Sequence, residues 1–419
     1  MKFDISNLIF LIILVTSIIL FYKNLRKIFR NIRLGKGGVK SDNKKERWKR
    51  VFFIAFGQSK MFKKPLVAFL HLIVYLGFII INIEIIEIII DGLFGTHRVL
   101  SFMGSFYNFL IGSFEVLAFL VLLACIIFLI RRNIIRIKRF WSSEMKGWPT
   151  MDGNLILIFE ILLMSAFLFM DAADLVLQDK DPSHYHKAGS FPISSFLTPL
   201  ISHFSINSLI FIERFCWWFH IIGILGFLNY LAISKHLHIL LAFPSTYYSK
   251  LNPKGEFANM DSVTKEVKIM LDPNADPFSQ PVDANPVRFG AKDVKDLNWL
   301  QLLNSYSCTE CGRCTSECPA NFTGKKLSPR KIMMDVRDRL EEVGRGIDKN
   351  GADFNDEKAL LGDYIKPEEL WACTSCNACV EACPINIDPL SIIIDLRRYA
   401  VMEESAAPSE LNSVFSNIE

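Results

Sequence analysis

Five long apolar stretches, at about residues 5–21, 65–90, 107–130, 153–175 and 206–233, lie before residue 241. Each approaches or exceeds the ~20 residues that cross a bilayer as a helix. Hydrocarbon offers no partner to a backbone N–H or C=O, so each stretch must satisfy its own amides, which a helix does. The first 243 residues are therefore expected to form an integral, multi-pass, five-helix bundle.

The charges orient this bundle. In the first stretch the basic residues follow the apolar run instead of preceding it, which argues against a cleaved signal peptide and for a retained helix with its N-terminus outside. Fifteen Lys or Arg lie between Lys23 and Lys64 and six between Arg131 and Lys146, whereas the other loops carry only Arg98, Lys180 and Lys187. By the positive-inside rule the basic loops face the cytoplasm, and five crossings leave the C-terminal part there, on an inner (cytoplasmic) membrane. Attraction to membrane lipid headgroups accounts for the basic loops. No basic surface interleaved with aromatics suggests nucleic acid.

Of ten cysteines, eight lie after residue 307. Cys308, Cys311, Cys314 and Cys318-Pro319, then Cys373, Cys376, Cys379 and Cys383-Pro384, write C-x2-C-x2-C-x3-C-P twice. This is the ligand spacing of two [4Fe–4S] clusters, in which the fourth cysteine of each run crosses to the other cluster. The expected sets are Cys308, Cys311, Cys314 and Cys383 for the first cluster, and Cys373, Cys376, Cys379 and Cys318 for the second. Structural zinc is the plainer alternative, but it needs only four ligands in a tetrahedron. Disulfides fit poorly with eight thiols at such short intervals beside cytoplasmic flanks.

The second half is expected to hold a connector over 244–300, a two-cluster domain over 301–403 and a flexible tail over 404–419. Pro253, Pro273, Pro277, Pro281 and Pro286 break any long element in the connector. The cysteine runs are separated by 54 residues, more than a compact β-rich ferredoxin needs. Ser328-Pro329 supplies an N-cap and first-turn proline, Met333, Val336, Leu340 and Val343 recur at helical spacing, and Gly344 and Gly346 are expected to end the helix. Asp388-Pro389 opens a second helix with Leu390, Ile393, Ile394 and Leu396 as its buried side. The fold class is thus all-α, a transmembrane bundle followed by a cytoplasmic α-helical ferredoxin domain.

Ionisable groups inside apolar helices are costly and ask for a reason. His71, near the cytoplasmic start of the second stretch, and His238, after the fifth, fall at one depth and suit the axial positions of a b-type haem. His220 and His238 are five helical turns apart; on a continuous helix they share a face at a separation of ~27 Å, as two stacked haems require. Gly223 and Gly226 are candidates for a close porphyrin approach. Glu84, Glu87, Glu115, Glu160, Asp171, Glu213 and Arg214 are either proton carriers or structural pairs. Cys125 and Cys216 read as small buried residues, and Trp217 and Trp218 as packing against a haem or a neighbouring helix.

The chain resembles the membrane-bound iron–sulfur oxidoreductases that join a haem-b module like that of respiratory nitrate reductase to a heterodisulfide-reductase-type cluster domain. The resemblance is carried by Gly57-Gln58 through His71 and Gly77-Phe78, by Ser234-Lys235-His236-Leu237-His238, and by Phe289-Gly290-Ala291 leading into the first cysteine run. Trp371-Ala372-Cys373 and Asp395-Leu396-Arg397-Arg398 complete it. It implies His71 with His238 as one haem pair and His220 as a ligand of a second. The family's second early-helix histidine falls here on Ile81. Larger relatives carry Cys-Cys-Gly repeats, which this sequence does not contain.

The expected role is that of an electron-transfer subunit working between a soluble cytoplasmic redox partner, either a CCG-type iron–sulfur protein or an electron-transferring flavoprotein, and the membrane quinone pool. A redox sensor or scaffold without turnover and a self-contained reductase are the rivals. Against the last stands the absence of a GxGxxG fingerprint, an open-metal motif or an activated nucleophile.

Overall fold

The computed structural model describes residues 4–39, 41–253, 255–274 and 288–418. Among these the chain is helical without strands, apart from two isolated bridges. It divides into two compact units, Met1–Arg26 with Met61–His236, and Lys27–Lys60 with Leu237–Glu419.

Five helices are long and apolar enough to cross a membrane: Ile5–Ile32, Pro65–Phe94, Ser105–Asn133, Trp148–Lys180 and Ile206–Ile233, the last with a 3-10 final turn. In the first unit the second to fifth spans pack in sequence order. Small residues set the distances between them. A Cβ on Gly77 would sit 2.4 Å from Val121 Cγ2, and one on Gly223 would sit 2.6 Å from Leu163 Cδ2. The first span is pinned by side chains, since the Phe10 ring lies over Gly92 and against Trp217 and Trp218. Asn7 donates to the Gly92 carbonyl, and Ser17 to that of Leu225. Both tryptophans thus pack a neighbouring helix, and Cys125 and Cys216 are buried as expected.

Most carboxylates within the spans have structural partners. Arg98, in the loop after the second span, donates to Asp174 (2.7 Å), Asp171 (2.8 Å) and Tyr107 (3.2 Å). Glu87 accepts from Tyr107 and the Leu100 amide, and Glu115 from the amides of Ile193 and Ser194. Glu213 pairs with Arg214. Glu84 is buried, and its Oε2 has no hydrogen-bond partner among the described residues.

The fifth span does not continue to His238. Ser234 is extended (φ −113°, ψ 152°), and a new helix, His238–Tyr248, begins after a 3-10 turn. The break is held by buried Asp152, which accepts from Ser234 Oγ, the Lys235 amide and Tyr230 Oη. The shared-face relation of His220 and His238 therefore fails, because it needed one unbroken helix.

In the second unit, Trp299–Ser307 packs on His238–Tyr248 and on Pro329–Asn350, which packs in turn on Pro389–Met402. Ser328 and Asp388 cap their helices by accepting from Lys331 N and Ser391 N. Met333, Val336, Leu340, Val343, Leu390, Ile393 and Leu396 are buried as their spacing predicts, and Ile394 is half-buried. Gly344 and Gly346 do not stop the first of these helices, which runs to Asn350. They are notches: a Cβ would meet Asn31 at 2.5 Å from Gly344 and the Phe354 ring at 2.1 Å from Gly346. In the connector Asp261–Leu271 is helical, while Pro277, Pro281 and Pro286 lie outside the described residues. The tail carries an exposed helix, Ser409–Ile418.

Two substitutions test these packings. Replacing Arg98 with Gln strands Asp171 and Asp174, and the expected loss is about 3–5 kcal/mol, read as a lower thermal midpoint in detergent. Gly290 has φ +72°, and a Cβ there would lie 2.3 Å from the Asp395 carbonyl oxygen. Gly290→Ala is expected to cost roughly 2–5 kcal/mol from strain and overpacking, read as proteolytic loss of the C-terminal unit.

Candidate metal centre

The two cysteine runs adopt the same local backbone. Two residues after the first cysteine of each stands a left-handed residue, Glu310 (φ 54°) and Ser375 (φ 57°), and before the third stands another, Gly312 (φ 70°) and Asn377 (φ 60°). Left-handed conformations cost a side chain energy unless the surroundings demand them. Here they turn amide N–H groups toward sulfur. The Glu310 amide donates to Cys308 and the Ser375 amide to Cys373, the latter at 3.4 Å. Amides of Ile385 and Ile387 do the same for Cys383. Hydrogen bonds to sulfur are one of the levers by which a protein tunes an iron–sulfur centre.

Each run then enters a short helix, Arg313–Ser316 or Ala378–Ala382, and these two pack together. The fourth cysteines are extended, Cys318 at φ −78°, ψ 118° and Cys383 at φ −71°, ψ 125°. Extension is what a following proline imposes, which gives Pro319 and Pro384 their role.

The thiols fall into two electrostatic neighbourhoods that meet where Cys379 also acts on Cys314. Burial pushes Cys308 up to about 12, with Cys311 and Cys383 adding to the rise. It pushes Cys383 up to about 11, with Cys311 as its thiol neighbour, and raises Cys314 well above its usual value. Cys379 rises to about 12, chiefly by burial, with Cys373 and Cys318 among its neighbours, and Cys373 rises likewise beside Cys318 and Cys376. Buried thiols that resist ionisation and repel one another need a cationic centre to become thiolates, and iron supplies one. Among the described residues, no three His, Cys, Asp or Glu side chains form a group that could hold a single metal ion.

Two arginines at the site had no role assigned from the sequence: Arg337, and Arg397, which entered only as part of the family resemblance. Arg337 donates to the Glu310 carboxylate at 2.6 Å, and Arg397 to Ser375 Oγ at 3.4 Å and to the carbonyls of Cys373 and Leu370. The available signal was positional: both stand eight residues after the helix-opening prolines Pro329 and Pro389.

Of the histidines, His220 is buried in the first unit, its Nδ1 3.0 Å from the Leu163 carbonyl and its ring 5.8 Å from Phe167. His71 is half-buried on the Pro65–Phe94 helix, and His238 is half-buried at the start of its helix in the second unit. Gly223 is filled by Leu163 and opens no cleft, whereas a Cβ on Gly226 would meet open space.

Residues 307–387 match the family described as the 4Fe-4S dicluster domain. The chain is 29% identical over 453 residues to the probable iron-sulfur-binding oxidoreductase FadF of Bacillus subtilis, a match covering 100% of this chain and 59% of the relative. It is 26% identical over 412 residues to the EtfAB:quinone oxidoreductase of Syntrophomonas wolfei, covering 92% and 53%. Over 107 residues it is 38% identical to one subunit of the ferredoxin/F(420)H(2)-dependent CoB-CoM heterodisulfide reductase of Methanosarcina acetivorans, covering 25% and 52%. The chain thus spans little more than half the length of the first two relatives. No solved structure matches it. The similar proteins are iron–sulfur oxidoreductases or their subunits, and this chain carries the dicluster domain and five helices fit to span a membrane.

Proposed function

We propose that this protein transfers electrons between a cytoplasmic redox partner and membrane quinone, through two [4Fe–4S] clusters and haem b. The observation that carries the reading is the pair of matching cysteine turns inside the dicluster match. Cys308, Cys311, Cys314 and Cys383 hold one cluster, and Cys373, Cys376, Cys379 and Cys318 the other; the crossed neighbourhoods of Cys383 with Cys311 and of Cys318 with Cys373 support these sets. The protein contributes position and potential, and the cofactors supply the one-electron chemistry.

His71 and His238 are the ligands proposed for one haem, and His220 for a second. The Nδ1 contact of His220 with a backbone carbonyl fits this role, because metal-bound imidazoles commonly anchor their other nitrogen that way and leave Nε2 as the donor. The partner proposed is an electron-transferring flavoprotein, on the strength of the Syntrophomonas relative's name, with a CCG-type iron–sulfur protein as the alternative. The basic segments support a cytoplasmic position for the cluster unit by the positive-inside rule.

Anaerobically purified protein is expected to contain about eight non-haem irons and a matching amount of acid-labile sulfide per chain. Zinc without sulfide overturns the cluster reading. Cys318→Ser is expected to damage the cluster of the second run more than that of its own run, by EPR; loss confined to the first cluster refutes the crossover.

Alanine at His71 or His238 is expected to abolish the same low-spin haem signal while leaving the iron–sulfur EPR intact. Full haem content in both variants sinks the pairing. His220→Ala is expected to remove a second, spectrally distinct haem, and an unchanged spectrum assigns that histidine to packing alone.

A further inference from the structure

The two cysteine turns match in backbone but differ in charge. Arg337 and Arg397 occupy equivalent places, each eight residues into its helix and each reaching the left-handed residue that donates its amide to the first cysteine of a run. On the first turn that residue is Glu310, buried at 2% exposure, whose carboxylate meets Arg337 at 2.6 Å; Asp338 adds a second carboxylate at 3.5 Å. On the second turn it is Ser375. Arg397 there has only neutral partners: Ser375 Oγ, the carbonyls of Leu370 (2.8 Å) and Cys373 (2.6 Å), and the Trp371 ring at 4.9 Å. Among the described residues no carboxylate pairs with Arg397. Two other groups act the opposite way: Lys60, bonded to the Val380 carbonyl and Asn386 Oδ1, stands near Cys383 of the first set, and Asp388 stands near Cys379 of the second.

Reducing a [4Fe–4S] cluster adds one electron and no compensating charge, so a nearby uncancelled cation favours the reduced form. An arginine already paired with a buried carboxylate contributes little net field. We infer that Arg397 holds the cluster ligated by Cys373, Cys376 and Cys379 at a higher midpoint potential than the cluster ligated by Cys308, Cys311 and Cys314. Within the pair, an electron leaving the first cluster then moves downhill to the second, oxidising one and reducing the other. Cys376 is the exposed cysteine of the eight, so solvent raises the same cluster's potential, and the variants must separate the two causes. This inference rests on the ligand sets proposed above.

The test is an EPR-monitored redox titration of the full-length chain purified anaerobically, with Cys376→Ser identifying which signal belongs to the second cluster. In the unmodified protein the second cluster is expected to reduce first. Arg397→Gln is expected to lower its midpoint and leave the first cluster's unchanged, whereas Arg397→Lys, which keeps the charge, is expected to shift it much less. Glu310→Gln removes the nearer of the two carboxylates on Arg337, leaving Asp338 at 3.5 Å, and is expected to raise the first cluster's midpoint. The inference is overturned if the first cluster reduces first, if Gln and Lys at 397 give equal shifts, or if Arg397→Gln moves neither midpoint. Should Arg397→Gln fail to assemble its clusters, Glu310→Gln decides alone: a rise confined to the first cluster supports the inference, and no rise overturns it. Failure of the ligand reading is separately visible as a missing cluster in iron and sulfide analysis before any titration.

Discussion

A charge taken out of water must be met by an opposite charge or by oriented dipoles. Both units of this protein are organised around that requirement. In the first, Arg98 is met by Asp171 and Asp174 from one helix and Tyr107 from another, so the loop between the second and third spans is tied to the fourth. Asp152 collects a hydroxyl pair and an amide at the end of the fifth span, and the helix ends there. In the second, Arg339 is buried between Asp293 and Asp356, fastening the Pro329–Asn350 helix to the segments before and after it. The clustered thiols state the same requirement as metal chemistry, since burial and neighbouring thiols oppose the ionisation of Cys308, Cys314, Cys373, Cys379 and Cys383.

Repetition is the other organising fact. The second unit uses one motif twice: a left-handed turn carrying three cysteines, a short helix, a fourth cysteine held extended by proline, and a capped helix that opens on proline. Two equal copies can hold two clusters but cannot by themselves give direction to an electron. The difference between Glu310 and Ser375, opposite equivalent arginines, is where the copies part in charge. A single residue at the turn, gripped from the following helix, is well placed to set one potential against the other without altering the cage.

Much of the candidate site was legible because its signals are local. Cysteine spacing, the prolines after Cys318 and Cys383, and the caps at Ser328 and Asp388 act over a few residues; matching turns form at the two runs, the fourth cysteines are extended, and both caps form. The spans were legible for the same reason, with several ends extended where polar flanks continued the helix. Gly344 and Gly346 were misread as a terminus, because a glycine that ends a helix and one that admits Asn31 or a Phe354 ring look alike until the neighbour is known. The end of the fifth span at Ile233 was legible, but what holds the break at Ser234 was not, since Asp152 lies far earlier in the chain.

The amino-acid sequence by itself determined the class of structure: apolar runs long enough to demand helices in hydrocarbon, and eight thiols at spacings suited to two cubanes. Tertiary structure decided what depends on groups distant along the chain. It drew Lys27–Lys60 into the second unit, where Arg47 bonds to the Tyr247 and Ser249 carbonyls and Lys60 to that of Val380. It supplied Asp152 to hold the break after the fifth span, and it set an arginine paired with carboxylates beside one cysteine turn and one without a carboxylate partner beside the other. Local signals act through the backbone and survive in a one-dimensional reading; the compensation of buried charge acts through space, and only the folded chain brings its partners together.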